Sequence, residues 1–251
     1  MRVGAIIEAR TNSSRLPNKV MMDLCGKPVI KRIFERLKKI KFLDEIIVAT
    51  TDSKHDDEFC FMLKQQRIKF FRGSEDNVLK RVLDTAKKYK IDLILEVWGD
   101  CPLFDPEINS KLIKIFKENN YDFVGCNIEK NFPIGVDGMV FPTKILEQIS
   151  KRKLTNNDLE HVSVYIYKNP RKFRIFNYSP SNKKLKRPEI RLTLDYFEDY
   201  LLIKKIYQHF IKKHNFTLEK IIDFLDQNPK IKNINSHIKQ INPLSTYEKN
   251  I

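Results

Sequence analysis

The sequence predicts an α/β fold: three layers, α/β/α, around a mostly parallel, Rossmann-like sheet. Short apolar runs of strand length alternate with segments whose apolar residues recur every three or four positions, and the alternation continues from residue 2 to about residue 120. The length of 251 residues suits one large core, because single cores stop growing at roughly 250–300 residues. A single domain over 1–251 is therefore expected, with two halves, 1–120 and 121–226, and a polar C-terminal tail (227–251).

The first strand is Arg2-Val-Gly-Ala-Ile-Ile7, apolar enough to be buried on both faces, and it runs into the polar loop Thr11-Asn-Ser-Ser14. From Pro28, apolar residues at Ile30, Ile33, Phe34, Leu37 and Ile40 mark a helix with Lys and Arg on its other face. Pro28 suits the first turn because its missing N–H needs no partner there. A second strand, Glu45–Thr50, is followed by a helix over 52–66 that carries Phe59, Met62 and Leu63. Then come Lys69–Phe71 as a strand, 76–89 as a helix, Asp92–Trp98 as a central strand and 106–119 as a helix.

Beyond residue 120 the pattern changes. Strands are expected at 122–125, 138–141 and 173–176, a mobile loop at 181–188, a short strand delivering Asp195, and helices at 197–213 and 217–225.

Composition narrows the functional classes. Hydrophobic residues make up 41% and charged residues 31%, values that support a packed core rather than disorder. No apolar run approaches the ~18 residues of a membrane span, and Met1 to Ile7 is too short for a signal peptide, so a cytoplasmic protein without a membrane partner is expected. Cys25, Cys60, Cys101 and Cys126 are widely spaced, with no C-x-x-C pair, and read as thiols of the core. The net charge of +15 is spread along the chain, with neither a like-charge block nor an aromatic-interleaved basic repeat, so no nucleic acid partner is expected.

In an open parallel sheet, ligands bind beyond the carboxyl ends of the strands, and three stretches fall there. Arg10, Arg15 and Lys19 lie in one loop among small hydroxyl and amide residues, a composition that suits a polyphosphate cradle and equally a solvated basic loop. The loop is neither G-x-x-x-x-G-K-[ST] nor G-x-G-x-x-G, which argues against ordinary ATPases and dinucleotide enzymes. Asp100, in Val97-Trp-Gly-Asp-Cys-Pro102, stands where a buried strand turns, beside Gly99, which permits close backbone approach. It suits a Mg²⁺ ligand or a turn cap. Asp195, in Arg191-Leu-Thr-Leu-Asp195, suits the same metal or the N-cap of the next helix.

Together these stretches resemble the cytidylyltransferase family that includes the CMP-Kdo and CMP-acylneuraminate synthetases, most closely its spore-coat polysaccharide protein F branch. Arg10 to Lys19 fits A-R-x-x-S-x-R-L-P-x-K, and Leu24–Ile30 fits the following G-K-P segment. Gly73-Ser-Glu-Asp-Asn-Val-Leu-Lys-Arg81 is similar to G-S-E-D-D-V-L-x-R, and Gly99–Leu103 to G-D-C-P-L. Glu160-His-Val162, Asn169-Pro170 and Thr193-Leu-Asp195 follow in the expected order.

The resemblance implies a nucleotide-diphospho-sugar transferase (A-type glycosyltransferase-like) fold, a homodimer and CTP as substrate. It places Ile7, Ala9, Arg10, Thr11, Ser13, Arg15, Lys19, Ser74, Asp76, Asn77, Arg81, Gly99 and Asp100 at the nucleotide, and Mg²⁺ on Asp100 and Asp195. Arg15, Lys19 and Asp100 then carry catalysis. CMP passes to a small anionic acceptor: a sugar acid of the 2-keto-3-deoxy or nonulosonate type, or else a sugar phosphate or phosphonate. His161, Arg187 and Arg191 are the candidate acceptor ligands.

Two positions depart from the branch pattern. Glu96 stands where Arg is usual, and Met139 where an acidic residue is usual. Asn18 replaces a loop Gly, a change that Asn's tolerance of left-handed backbone accommodates. A nucleotide-sugar glycosyltransferase would share the fold, but its diphosphate donor has less need of the three-cation loop.

Overall fold

The computed structural model describes residues 1–126, 128–129, 131–212 and 216–240. A seven-stranded sheet forms its centre: β1 (Val3–Glu8), β2 (Glu45–Thr51), β3 (Lys69–Gly73), β4 (Leu93–Trp98), β5 (Phe123–Gly125), β6 (Met139–Pro142) and β7 (Ile175–Asn177), in the order β3-β2-β1-β4-β6-β5-β7. β1 pairs in parallel with both β2 and β4. Only β6 runs against its neighbours β4 and β5, so the expectation of a mostly parallel sheet holds. The chain goes from β1 outward to β2 and β3, then returns to the other side of β1 as β4. The crevice between the carboxyl ends of β1 and β4 is therefore the topological switch point, where open α/β sheets bind ligands.

Helices cover both faces. One carries α1 (Val29–Leu37), α2 (Asp57–Gln65) and α4 (Pro106–Glu118), joined by α8 (Phe197–Phe210) and α9 (Leu218–Gln227). The other carries α3 (Val78–Lys88), α5 (Thr143–Ser150), α6 (Asn156–Glu160) and α7 (Val164–Lys168). Alternation along each strand divides the two cores: Ala5 and Ile7 of β1 enter the first, and Ile6 enters the second. Ile6 and Ile7 each contribute roughly 1.5–3 kcal/mol by leaving water.

Four sequence expectations change in detail. The helix expected over 52–66 is a 3₁₀ turn at Lys54–Asp56 followed by α2. The segment read as a mobile loop at 181–188 contains a 3₁₀ turn, Lys183–Leu185, and Lys184 is ion-paired to Asp223 and Glu219 of α9. Residues 191–195 form no regular strand; a single bridge joins Arg191 to Ile134. The segment after Gln227 is structured at its start, with α10 (Pro229–Lys232), a 3₁₀ turn at Asn233–Asn235 and a buried Asn235. Polar composition concealed this packing because Asn235 is held by hydrogen bonds rather than by apolar contact. The remainder of that segment, 241–251, and the end of the helix expected to reach Lys213 lie outside the described residues. Among the described residues, no helix is long and apolar enough to cross a membrane.

Candidate active site

The loop after β1 is shaped from within before any ligand is considered. Thr11 is buried, and its N–H and hydroxyl both donate to Asp56 Oδ1, at 2.8 and 2.6 Å. The other Asp56 oxygen accepts from the Thr50 and Thr51 hydroxyls and the Thr51 N–H. Burial pushes the Asp56 carboxyl up, but these hydrogen bonds outweigh it, and the net shift is downward. The Thr11 carbonyl accepts from the N–H groups of Ser13 and Asn18, and Asn18 takes the left-handed backbone expected of it, with φ 58°. Thr11, assigned to the nucleotide by resemblance, thus also anchors the loop. Asp56, at the end of the 3₁₀ turn that follows β2, does the same and was not singled out by the sequence reading.

The loop delivers two cations to two carboxylates. Lys19 Nζ lies 2.9 Å from Asp100 Oδ2 and 2.9 Å from Asp195 Oδ1, and Arg15 Nη2 lies 2.6 Å from that same Asp195 oxygen. Burial lowers the Lys19 pKa, but Asp100 and Asp195 outweigh it and leave it raised, so the ammonium persists. Asp195 is pushed up by burial and pulled further down by Lys19, Arg15 and Arg191. The tertiary structure therefore joins four residues that the sequence placed on three separate stretches. Gly99 permits this approach: a Cβ there would lie 2.8 Å from the Ala9 Cβ and 3.0 Å from the Glu8 carbonyl.

Asp195 does not cap α8; that place belongs to Tyr196, with Asp199 closing a capping box. Asp199 accepts from the backbone N–H groups of Asp195 and Tyr196 and from Arg191. Arg191 Nη2 reaches Asp195 Oδ2 at 2.7 Å, while Asn235 Nδ2 donates to Asp199 and to the Arg191 carbonyl. Arg191 and Asn235 therefore orient Asp195 from behind. Arg187 lies on the surface, paired with Glu189 and with Asp226 of α9. Both arginines proposed for the acceptor are thus already engaged with carboxylates of the chain.

His161 ends α6, half-buried, and burial lowers its pKa. Its neighbour Val162 packs in the core beneath α3 and α5, so it stands on the sheet face opposite α1. Asn77 caps α3, accepting from the Lys80 N–H at 2.8 Å, and Ser74 accepts from the Asn77 N–H. Arg81 is buried and holds the Ser74 and Glu75 carbonyls, which fixes the 74–77 turn. Arg10 makes no ion pair among the described residues, and Ser13 and Asp76 likewise contribute none. A groove of about 560 Å³, lined by Asp92, Tyr121 and Arg174 among others, lies at the amino ends of β1 and β4 and touches none of these residues.

Beneath the loop lies a carboxylate pair that the sequence reading saw only in part. Glu96 of β4 is directly opposite Met139 of β6, so the two positions noted as departures from the family pattern are cross-strand neighbours. Glu96 also hydrogen-bonds to Glu8, the last residue of β1, and two carboxyl groups can do this only by holding a proton between them. Burial, against the opposing pull of Ser163 and Glu8, pushes Glu96 up to about 7. Burial and then Glu96 drive Glu8 well above the usual range, with Arg81 pulling the other way. Glu8 could have been noticed as an acid closing an otherwise apolar buried strand.

Comparison with known proteins decides the family. A family model described as cytidylyltransferase matches residues 4–235. The chain belongs to the cytidylyltransferase family. Among cytidylyltransferases and their relatives it is 41% identical over 240 residues to an uncharacterized protein of Methanocaldococcus jannaschii, covering 96% of this chain and 97% of that one. It is 31% identical over 229 residues to the spore coat polysaccharide biosynthesis protein SpsF of Bacillus subtilis, covering 89% and 94%. A solved cytidylyltransferase from Leptospira borgpetersenii serovar Hardjo-bovis superposes with a TM-score of 0.88 at 30% identity, covering 96% of this chain and all of that one. Solved nucleotidyltransferases at 16–17% identity share the nucleotide-diphospho-sugar transferase fold, with TM-scores of 0.62 and 0.59. The chain is thus a CTP-dependent nucleotidyltransferase by family.

Proposed function

We propose that this cytidylyltransferase transfers CMP from CTP to a sugar acid of the 2-keto-3-deoxy or nonulosonate type, releasing pyrophosphate, in the making of a surface polysaccharide or glycan. The carrying observation is the convergence of Lys19 on Asp100 and Asp195 at 2.9 Å each, at the carboxyl edge of the sheet and in the loop that also holds Arg15. The polysaccharide context rests on the Bacillus subtilis relative, and the sugar acid on the motifs shared with the synthetases.

The donor set fits magnesium. Two carboxylates from different stretches converge on one point, where a cation, the Lys19 ammonium, already lies. Magnesium favours one or two carboxylates completed by substrate phosphates and water rather than a full protein cage, and no group of three or more metal-ligating side chains occurs among the described residues. Asp100 and Asp195 would hold the ion. Bound there, it would supply positive charge to the transferring phosphate.

The chain's own residues do the rest. An acceptor oxygen attacks the α-phosphorus in line; the new O–P bond forms as the bond to the bridging oxygen breaks, and pyrophosphate departs with that oxygen. Lys19, kept protonated by its two carboxylates, and Arg15 neutralise the triphosphate and the leaving group. Arg191 and Asn235, through Asp199, keep Asp195 in place. We assign the acceptor's recognition to His161, which ends α6 on the sheet face of α3 and α5.

The test is pyrophosphate release from each of the four nucleoside triphosphates with Mg²⁺, across keto-sugar acids, sugar phosphates and phosphonates. Release with CTP and a keto-sugar acid is the expected result. Release only with a phosphorylated acceptor would overturn the acceptor assignment and leave the cytidylyl transfer standing.

A further inference from the structure

Of the four charged side chains that converge at the candidate site, Arg15 is the most exposed, at 37% against 25% for Asp100, 10% for Lys19 and 5% for Asp195. Its one ion pair among the described residues is with Asp195. An exposed arginine on a loop samples many rotamers, and ordering it costs free energy unless something holds it.

That single ion pair is contested. Asp195 Oδ1 accepts from Arg15 Nη2 at 2.6 Å and from Lys19 Nζ at 2.9 Å, and a carboxylate oxygen offers only about two lone-pair sites. Lys19 Nζ also reaches Asp100 Oδ2. An ion shared by Asp100 and Asp195 would enter where these two oxygens converge, in competition with both cations for Oδ1. Arg15 then needs a second support.

The residue next to Asp195 supplies it. The Arg15 guanidinium lies over the ring of Tyr196, its carbon 5.5 Å from the ring centroid, within the range of cation–π attraction. Tyr196 is itself fixed in place. It stands at the N-cap of α8, its N–H donates to Asp199 Oδ2 at 3.0 Å, and the buried Arg191 lies 6.0 Å from the same ring. The ring attracts the guanidinium without accepting a hydrogen bond from its edge, so the N–H groups stay available for phosphate oxygens.

We propose that Tyr196 is a positioning residue whose ring holds Arg15 in place for the triphosphate of CTP when Asp195 is drawn to the metal. Tyr196 acts through Arg15 and touches neither nucleotide nor metal in this role. The inference rests on the reading that Arg15 neutralises the triphosphate and that Asp195 is a metal ligand.

The experiment is calorimetric binding of CTP and CMP to the full chain with Mg²⁺ and no acceptor, with thermal unfolding as the check that each variant is folded. Tyr196→Leu should weaken CTP by about 3- to 30-fold, the range of a cation–π contact. It should weaken CMP by less than about twofold, because CMP lacks the phosphates that Arg15 meets. Tyr196→Phe, which keeps the ring face, should bind CTP within about twofold of the wild type. Beside Arg15→Met, the loss caused by Tyr196→Leu should shrink below about twofold, since its partner is already gone. A scaffold role predicts the opposite. CTP and CMP weakened alike, a loss undiminished beside Arg15→Met, or an equal loss in Tyr196→Phe would each overturn the proposal. Tyr196→Gln, suited to a half-exposed helix cap, carries the same comparisons if Tyr196→Leu does not fold. A wild type that binds CTP no better than Arg15→Met would overturn this inference and leave the cytidylyl transfer standing, whereas a folded wild type that binds no CTP would overturn both.

Discussion

Glu96→Gln is the substitution whose effect can be worked furthest from the structure. Glu96 is 1% exposed, and burial raises its pKa from an ordinary 4.5 to about 7. A carboxyl raised in the folded state contributes stability that is present below its unfolded pKa and is lost as pH rises through the folded value. The native state holds a proton that the unfolded chain has already released, so unfolding stability falls with rising pH between the two values. At roughly 1.4 kcal/mol per unit, this contribution decreases by about 2–3 kcal/mol between about pH 5 and about pH 8. Gln has the same shape, and its amide oxygen can accept from the protonated Glu8 as Glu96 does, without titrating. Urea unfolding of both proteins across this range should show the wild type losing about 2–3 kcal/mol relative to Glu96→Gln, with the variant the more stable at the alkaline end. Parallel stability curves for the two proteins would refute the proton-sharing pair.

Other perturbations separate chemistry from scaffold. Asp100→Asn, at a side chain 25% exposed, should lower turnover by about 100-fold or more with little change in melting temperature; near-normal turnover would remove it from the metal site. Asp195→Asn should lower turnover similarly and also destabilise the fold by about 3–5 kcal/mol, because Lys19 and Arg191 are left buried with reduced compensation. Because Asp195 is depressed, its contribution is present above the ordinary carboxylate range and lost as pH falls through its depressed value, so the melting temperature of Asp195→Asn should approach that of the wild type in acid. Asn235→Leu should destabilise by about 1–3 kcal/mol through the unpaired Asp199 oxygen and raise the KM for magnesium, as measured by activity titration.

Much of the nucleotide half was legible from sequence. β1, β2 and β4 are buried on both faces and so consist of near-continuous apolar runs, and α1 and α3 show their buried stripes at helical spacing. Arg15, Lys19 and Asp100 were visible as chemistry because cations and a carboxylate at strand ends follow from the rule for open sheets. The second half was less legible. β5, β6 and β7 are only three or four residues long, too short for periodicity to separate strand from buried loop. The antiparallel insertion of β6 between β4 and β5 depends on pairing partners far away in the chain.

The sequence by itself therefore determined the layer architecture and the family, because local periodicity and contiguous motifs are properties of neighbouring residues. Only the tertiary structure decided that Lys19 joins Asp100 to Asp195, 81 and 176 residues away, and that Arg191 is engaged behind the site rather than free within it. It also decided that Glu8 and Glu96, 88 residues apart, are buried within hydrogen-bonding reach of each other. These are facts of through-space electrostatics and burial, set by which strand ends meet, and no pattern along the chain encodes the distance between two charges.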